Sequence, residues 1–203
     1  MANLARRGLT GIVLSGGQSQ RMGSNKALME LDGQTLIARA LDQLSRLCDE
    51  LIISANDIEL YAHLPARVIP DVIPGRGALS GIHASLAAMR HERAIVVACD
   101  MPFLSLSFLR FMVALAPGYD VVVPRLGRYY EPLHAVYGAG CMAPIEQLLA
   151  AGPQRVVKLY ERVRVREVAE DQVRLFGAEL SFVNVNVPED WAEVQRLSRV
   201  RRL

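Results

Sequence analysis

An apolar run, Leu9 to Leu14, breaks at once into small and flexible residues: Ser15, Gly16, Gly17, Ser19 and Gly23, closed by the cations Arg21 and Lys26. A run this short and apolar is a buried strand, and a strand that opens into a glycine-rich loop offers backbone N–H groups with no side chains in the way. Those donors suit phosphate oxygens, and the two cations neutralise what amides cannot. The loop is neither of the standard phosphate motifs. A P-loop needs Lys directly after its second Gly, whereas Ser24 and Asn25 separate Gly23 from Lys26, and Ala27 stands where a hydroxyl is required. Gly16, Gly17 and Gln18 do not supply a dinucleotide fingerprint either. The direct reading is a polyphosphate cradle; the plain alternative is a strand-to-helix turn with a solvated Arg and Lys.

Downstream, strands and helices alternate. Thr35 is placed to cap a helix to about Leu47, with Leu36, Ile37, Ala40, Leu41 and Leu44 on one face. Leu51 to Ser54 is a second strand, running out at Ala55, Asn56 and Asp57, and Arg67 to Ile69 is a third, closed by Pro70 and Asp71. A second glycine-bearing loop follows, with Gly75, Gly77 and Gly81, and Ser80 is expected to cap the next helix. Ala94 to Ala98 is a fourth strand ending at Cys99, Asp100, Met101 and Pro102, and Val121 to Val123 a fifth. This alternation specifies an α/β fold, a mostly parallel sheet with helices on both faces. Ligands of such sheets bind beyond the C-terminal strand ends, where Gly16, Gly17, Asn56, Asp71 and Asp100 all fall.

From Gly127 the texture changes. Arg128 to Tyr137 reads as a hairpin or a strand entered from a turn, Cys141 to Ala150 as a helix, and Gln154 to Glu161 as a short helix. Val163 to Val168 and Phe182 to Asn186 alternate like strands, and Pro188 opens a last helix to about Leu197. No linker or repeat divides the 203 residues, so one domain is expected, with about 9–124 for the nucleotide and about 125–203 for an acceptor.

A net charge of +2 gives no bulk attraction to nucleic acid. Cys48, Cys99 and Cys141 have neither disulfide nor zinc spacing and suit a reducing compartment. The N-terminus lacks the pattern of a signal peptide, and Phe103 to Ala116 is too short to span a bilayer, so a soluble, cytoplasmic chain with no membrane partner is expected.

Asp100 ends a buried strand, where a carboxylate costs desolvation free energy unless a cation meets it. Mg²⁺ takes one or two carboxylates together with phosphate oxygens, which fits a lone Asp beside a phosphate cradle better than a cap for the helix near Ser105. Arg21 and Lys26 would hold a triphosphate while its α-phosphorus is attacked. Asp71 assists the metal, binds the nucleotide or caps a turn. His134 is a candidate for acceptor contact, and His83 reads as an ordinary helix-face histidine. Arg155, Lys158, Arg162, Arg164 and Arg166 form either a solvated face or an anion site.

These residues together resemble the molybdenum cofactor guanylyltransferase family. The resemblance is carried by Leu14 to Gly17 with Arg21, Met22, Gly23 and Lys26, the loop Asp71 to Gly81, Ala98 to Pro102, Pro132 to Tyr137 and Phe182 to Asn186. It implies a Rossmann-like nucleotidyltransferase fold and transfer of GMP from GTP, with Mg²⁺, to the terminal phosphate of molybdenum-bearing molybdopterin. By motif it implies that Leu14, Ser15, Gly16 and Gly17 line the guanine and phosphate loop and that Lys26 contacts phosphate. Asn56, Asp71 and Gly77 would hold GTP, Asp100 would bind Mg²⁺, and Asn184 and Asn186 would lie on the molybdopterin side. Molybdoenzymes or their chaperones are the implied protein partners. Ser15, Asn25 and Ala78 depart from the residues usual in the family, without removing a charge the chemistry needs. Two other readings stay open: a cytidylyltransferase acting on molybdopterin or on a sugar or alcohol phosphate, and a non-catalytic nucleotide-binding protein that delivers cofactor.

Overall fold

β1 (Thr10–Leu14) is buried along its whole length, as a strand with no polar face must be. It lies between β4 (Glu50–Ser54) and β6 (Arg93–Ala98), parallel to both. The computed structural model describes residues 8–16, 25–73 and 75–200. Within these, β2 (Glu30–Leu31) and β3 (Gln34–Thr35) form a separate hairpin. The main sheet also contains β5 (Arg67–Ile69), β7 (Val121–Leu126), β8 (Tyr129–Tyr130), β9 (His134–Gly138) and β10 (Val165–Ala169). Its order is β10-β7-β9-β6-β1-β4-β5, with β8 folded back on β7. The pairs β6–β1, β1–β4, β4–β5 and β7–β10 are parallel, and β9 runs antiparallel between β6 and β7.

Successive strand residues point to opposite faces, and each face buries its own helices. Val13, Ile53, Ile95, Val97, Val122 and Val136 pack under α1 (Leu36–Ser45), α4 (Leu106–Leu115) and α6 (Glu170–Leu175). Ile12, Leu14, Ile52, Val96, Val121 and Val123 pack under α3 (Ala78–Ala88) and α5 (Met142–Ala150). Each fully buried Leu or Ile contributes roughly 1.5–3 kcal/mol. The fold is the mostly parallel α/β sheet, covered on both faces, that the alternation of elements predicts. Two further helices complete it: the short α2 (Ile58–Tyr61), capped by Asp57, and the 13-residue α7 (Pro188–Val200), which starts at Pro188 as expected.

Three local expectations need correction. Phe182 to Asn186 is not a strand. A 3₁₀ turn covers Glu179–Phe182, and the extended chain beyond it is tied to the end of β6 by Val185 N–H, which donates to the Asp100 carbonyl at 3.1 Å. The alternation is real, but Val185 fills a small cluster with Leu31, Leu36, Phe103 and Val194 instead of a sheet face. Ser80 does not cap α3. The helix starts three residues earlier, after Gly77 at φ 69°, and the Ser80 hydroxyl donates to the Ile73 carbonyl at 2.7 Å. β7 continues past Val123 to Leu126, turns at Gly127 (φ 55°), and returns as β8. Thr35 and Ser105 do cap α1 and α4, which leaves Asp100 free of the capping role.

Candidate active site

The register of four parallel strands builds the site. Leu14 is level with Ala98 on one side and Ser54 on the other, and Ser54 is level with Ile69. Two residues past that line stand Gly16, Asp100, Asn56 and Asp71. The C-terminal edge of the sheet therefore carries Asp100, Gly16, Asn56 and Asp71 in that spatial order. With neighbouring strands about 4.8 Å apart, the strands that lead to Asp100 and Asp71, β6 and β5, are three strand widths, about 14 Å, apart.

Lys26 enters this row from beyond the glycine loop. Its Nζ donates to Asn186 Oδ1 at 3.1 Å, and its charge acts directly on Asp100. Asn25 caps the 3₁₀ turn Lys26–Leu28 by accepting from Ala27 N–H at 3.1 Å, which fixes the direction in which Lys26 leaves the backbone. Asn186 is held in turn by Asp190, whose Oδ2 accepts the backbone N–H groups of Asn186 at 2.7 Å and of Val187 at 3.0 Å. Asn184, one residue before the Val185–Asp100 bond, has a buried Oδ1 with no partner among the described residues. Lys26, Asp100, Asn184 and Asn186 thus converge, although 160 residues of chain separate Lys26 from Asn186.

Burial raises the Asp100 carboxyl above the ordinary aspartate range, and the nearby Lys26 ammonium only partly offsets it. Such a carboxylate gains from a cation. Among the described residues no group of three His, Cys, Asp or Glu is disposed to hold an ion. One desolvated carboxylate is instead a donor set that phosphate oxygens complete, which fits a divalent cation that takes oxygen ligands. Burial also raises Asp71, against the pull of Asn56, whose Oδ1 accepts the Asp71 backbone N–H at 2.9 Å. A Cβ on Gly81 would lie 2.5 Å from Ser54 Oγ and 3.4 Å from Asp71 Oδ1, so the missing side chain lets α3 close on the ends of β1 and β4 beside Asp71.

Gly17 and Arg21 lie outside the described residues. Leu14 and Ser15 stand at the β1 exit, and Gly77 leads into α3. His134 is not at the surface: it is fully buried in β9, its ring stacked on Phe108 at 6.0 Å and tilted against Phe182 at 4.8 Å. Desolvation lowers it to about 3, so it is neutral, and it offers an acceptor no accessible atom. Two of the basic residues from Arg155 to Arg166 have acidic partners. Lys158 pairs with Glu161, and Arg164 makes two bonds to Asp120 at the start of β7, the opposite end of the sheet.

Tyr61 is a site residue that the pattern of the sequence does not reveal. Its ring is buried, and its hydroxyl lies 2.8 Å from Ser15 Oγ and 2.9 Å from Asn25 Nδ2. It ties the residue that enters the glycine loop to one that leaves it. The only trace in the sequence is an aromatic residue in a short polar stretch after Asp57.

Residues 11–167 match the family described as the MobA-like NTP transferase domain. The chain is 42% identical to a probable molybdenum cofactor guanylyltransferase of Pelotomaculum thermopropionicum, covering 95% of each chain. It is 37% identical to the molybdenum cofactor guanylyltransferase of Desulfosudis oleivorans, covering 96% of this chain and 98% of that one. Among solved structures it is similar to the molybdopterin-guanine dinucleotide biosynthesis protein A of Archaeoglobus fulgidus, with a TM-score of 0.81 and 29% identity over 94% of this chain and 98% of the other.

Proposed function

This chain belongs to the MobA-like NTP transferase family, and on that premise we propose that it transfers GMP from GTP to the terminal phosphate of molybdenum-bearing molybdopterin. An oxygen of the acceptor phosphate attacks the α-phosphorus, the bond from that phosphorus to the bridging oxygen of the β-phosphate breaks, and pyrophosphate leaves with the electron pair. The carrying observation is Lys26 beside Asp100 at the head of the row of strand ends. Lys26 neutralises charge that builds on the phosphates, and Asn186 fixes its ammonium in place. Asp100 would hold Mg²⁺, which when bound screens the phosphate charges from the incoming anion. Arg21, Gly16 and Gly17 belong to the phosphate loop in this reading, and Leu14, Ser15 and Gly77 line it.

The far end of the row suits the base. Guanine presents two adjacent donors, N1–H and the 2-amino group, to a carboxylate, whereas cytosine has no such pair. Asp71, held through its backbone by Asn56, is the group to accept them. Residues of about 9–124 then bind the nucleotide and about 125–203 the acceptor, with Asn184 and Asn186 at the join. The unpaired thiols of Cys48, Cys99 and Cys141 accord with a cytoplasmic enzyme, and cofactor chaperones or molybdoenzymes would receive the product.

Nucleotide competition tests the assignment. With molybdenum-bearing molybdopterin supplied, pyrophosphate is expected from GTP and not from CTP. Turnover with CTP alone would make the chain a cytidylyltransferase, and GTP binding without pyrophosphate would make it a carrier.

A further inference from the structure

The guanylyltransferase reading accounts for the acid on one side of Asp100 and leaves unexplained an acid on the other. Glu131 lies between β8 and β9 at the same C-terminal edge. Its N–H donates to the Pro124 carbonyl of β7 at 2.9 Å, and its own carbonyl accepts His134 N–H at 3.1 Å. The same turn is bonded to β6, because Ala98 N–H donates to the Leu133 carbonyl at 3.0 Å. Glu131 is therefore one to two strand widths, about 5–10 Å, from the exit that carries Asp100, on the side away from Asp71.

The backbone around Glu131 is rigidly held. Tyr137 donates its hydroxyl to the Pro132 carbonyl at 2.8 Å. Its single proton being used there, Tyr137 accepts from Tyr160, 3.1 Å away. The Tyr160 ring packs edge-on against Tyr130 at 5.1 Å, and Tyr130 bonds Glu167, which also pairs with Arg125 at 3.2 Å. Within this network the polar side chains have partners, yet the Glu131 carboxyl makes no hydrogen bond or ion pair among the described residues. It is half-buried, and burial raises it above the ordinary glutamate range. A desolvated, unpaired carboxyl costs stability unless a ligand supplies donors.

We propose that Glu131 is the specificity residue for the acceptor's pterin, its carboxylate accepting from the ring's 2-amino group and N3–H. The inference rests on the guanylyltransferase reading. Pterin and guanine present the same pair of donors, so a product joining the two calls for two similar carboxyls, one on each side of the reacting phosphates. Asp71 and Glu131 flank Asp100 in that way. A three-ring pterin whose phosphate arm reaches Lys26 and Asp100 places its donor edge toward β9 and β7.

The test varies the acceptor at saturating GTP. Glu131→Gln should raise the KM for molybdenum-bearing molybdopterin roughly 10- to 100-fold, with the KM for GTP and the Mg²⁺ dependence unchanged. A second measurement needs no variant. Quenching of ring fluorescence should show that the native protein, loaded with GTP and Mg²⁺, binds 6-hydroxymethylpterin phosphate in preference to the matching lumazine, whose 2-amino group is replaced by oxygen. In Glu131→Gln that preference should disappear. An unchanged acceptor KM in the variant, a shift in Mg²⁺ dependence instead, or equal binding of pterin and lumazine by the native protein would overturn the assignment. If the native protein releases no pyrophosphate from GTP, the guanylyltransferase reading fails, and the pterin–lumazine comparison still decides the role of Glu131.

Discussion

Lys26 Nζ and Asn186 Oδ1 stand 3.1 Å apart, joining the turn after the glycine loop to the segment just before the last helix. The bond keeps a flexible ammonium over the strand end that carries Asp100. Lys26→Ala should lower kcat/KM for GTP about 100- to 1,000-fold, the usual cost of losing a charged group aimed at a reacting phosphate. Asn186→Ala should cost less, about tenfold, because the ammonium remains and only its position is loosened. Steady-state pyrophosphate release with purified variants gives both numbers.

Tyr61 is expected to hold Ser15 and Asn25, which flank the glycine loop, in place. Tyr61→Phe keeps the buried ring but removes the hydroxyl that serves Ser15 and Asn25. It should destabilise the fold by about 1–2 kcal/mol in urea unfolding. It should also raise the KM for GTP more than it lowers kcat.

Asp100 gives a prediction with a definite sign. Its carboxyl holds a proton more tightly in the folded chain than in the unfolded one, because burial disfavours the charge. The folded state then binds more protons, so this residue's contribution to stability falls as pH rises through the unfolded and then the folded pKa. At neutral pH the ionised carboxyl is a cost. Asp100→Asn should therefore raise the melting temperature of the ligand-free protein at pH 7 while abolishing turnover, and the gain should shrink at low pH.

His134 behaves in the opposite way. Its folded pKa, lowered to about 3, lies below the 6.5 of an exposed histidine. The unfolded chain binds the extra proton, so stability is lost as pH falls below about 6.5. His134→Leu should flatten that part of the stability profile measured by thermal unfolding. It should leave the acceptor KM unchanged, since the ring reaches no surface.

How much of this was legible in the sequence follows from the physics of each element. The ends of β1, β4, β5 and β6 could be read because each is an apolar run closed by a small or acidic residue, and a parallel sheet lines such ends up. Gly16, Asn56, Asp71 and Asp100 stand out on that ground, and the register sets the strand ends before them level. The segment Phe182 to Asn186 misled because a period of two reports an extended chain and does not say whether a neighbouring strand pairs with it. Within Glu131 to Tyr137 a histidine is the side chain whose ordinary pKa lies nearest neutrality, which makes it the natural candidate for acceptor contact. Yet β9 turns His134 into the core, on the same face as Val136, and leaves Glu131 at the edge. The role of Tyr61 rests on contacts across 36 and 46 residues, which no local pattern encodes.

The central claim is that Asp100 at the end of β6 supports nucleotidyl transfer together with Lys26. The most direct measurement is pyrophosphate release from GTP in the presence of Mg²⁺ and molybdenum-bearing molybdopterin, comparing the native chain with Asp100→Ala. The account predicts release by the native chain and none above background by a folded Asp100→Ala variant. Equal release by the two would contradict it.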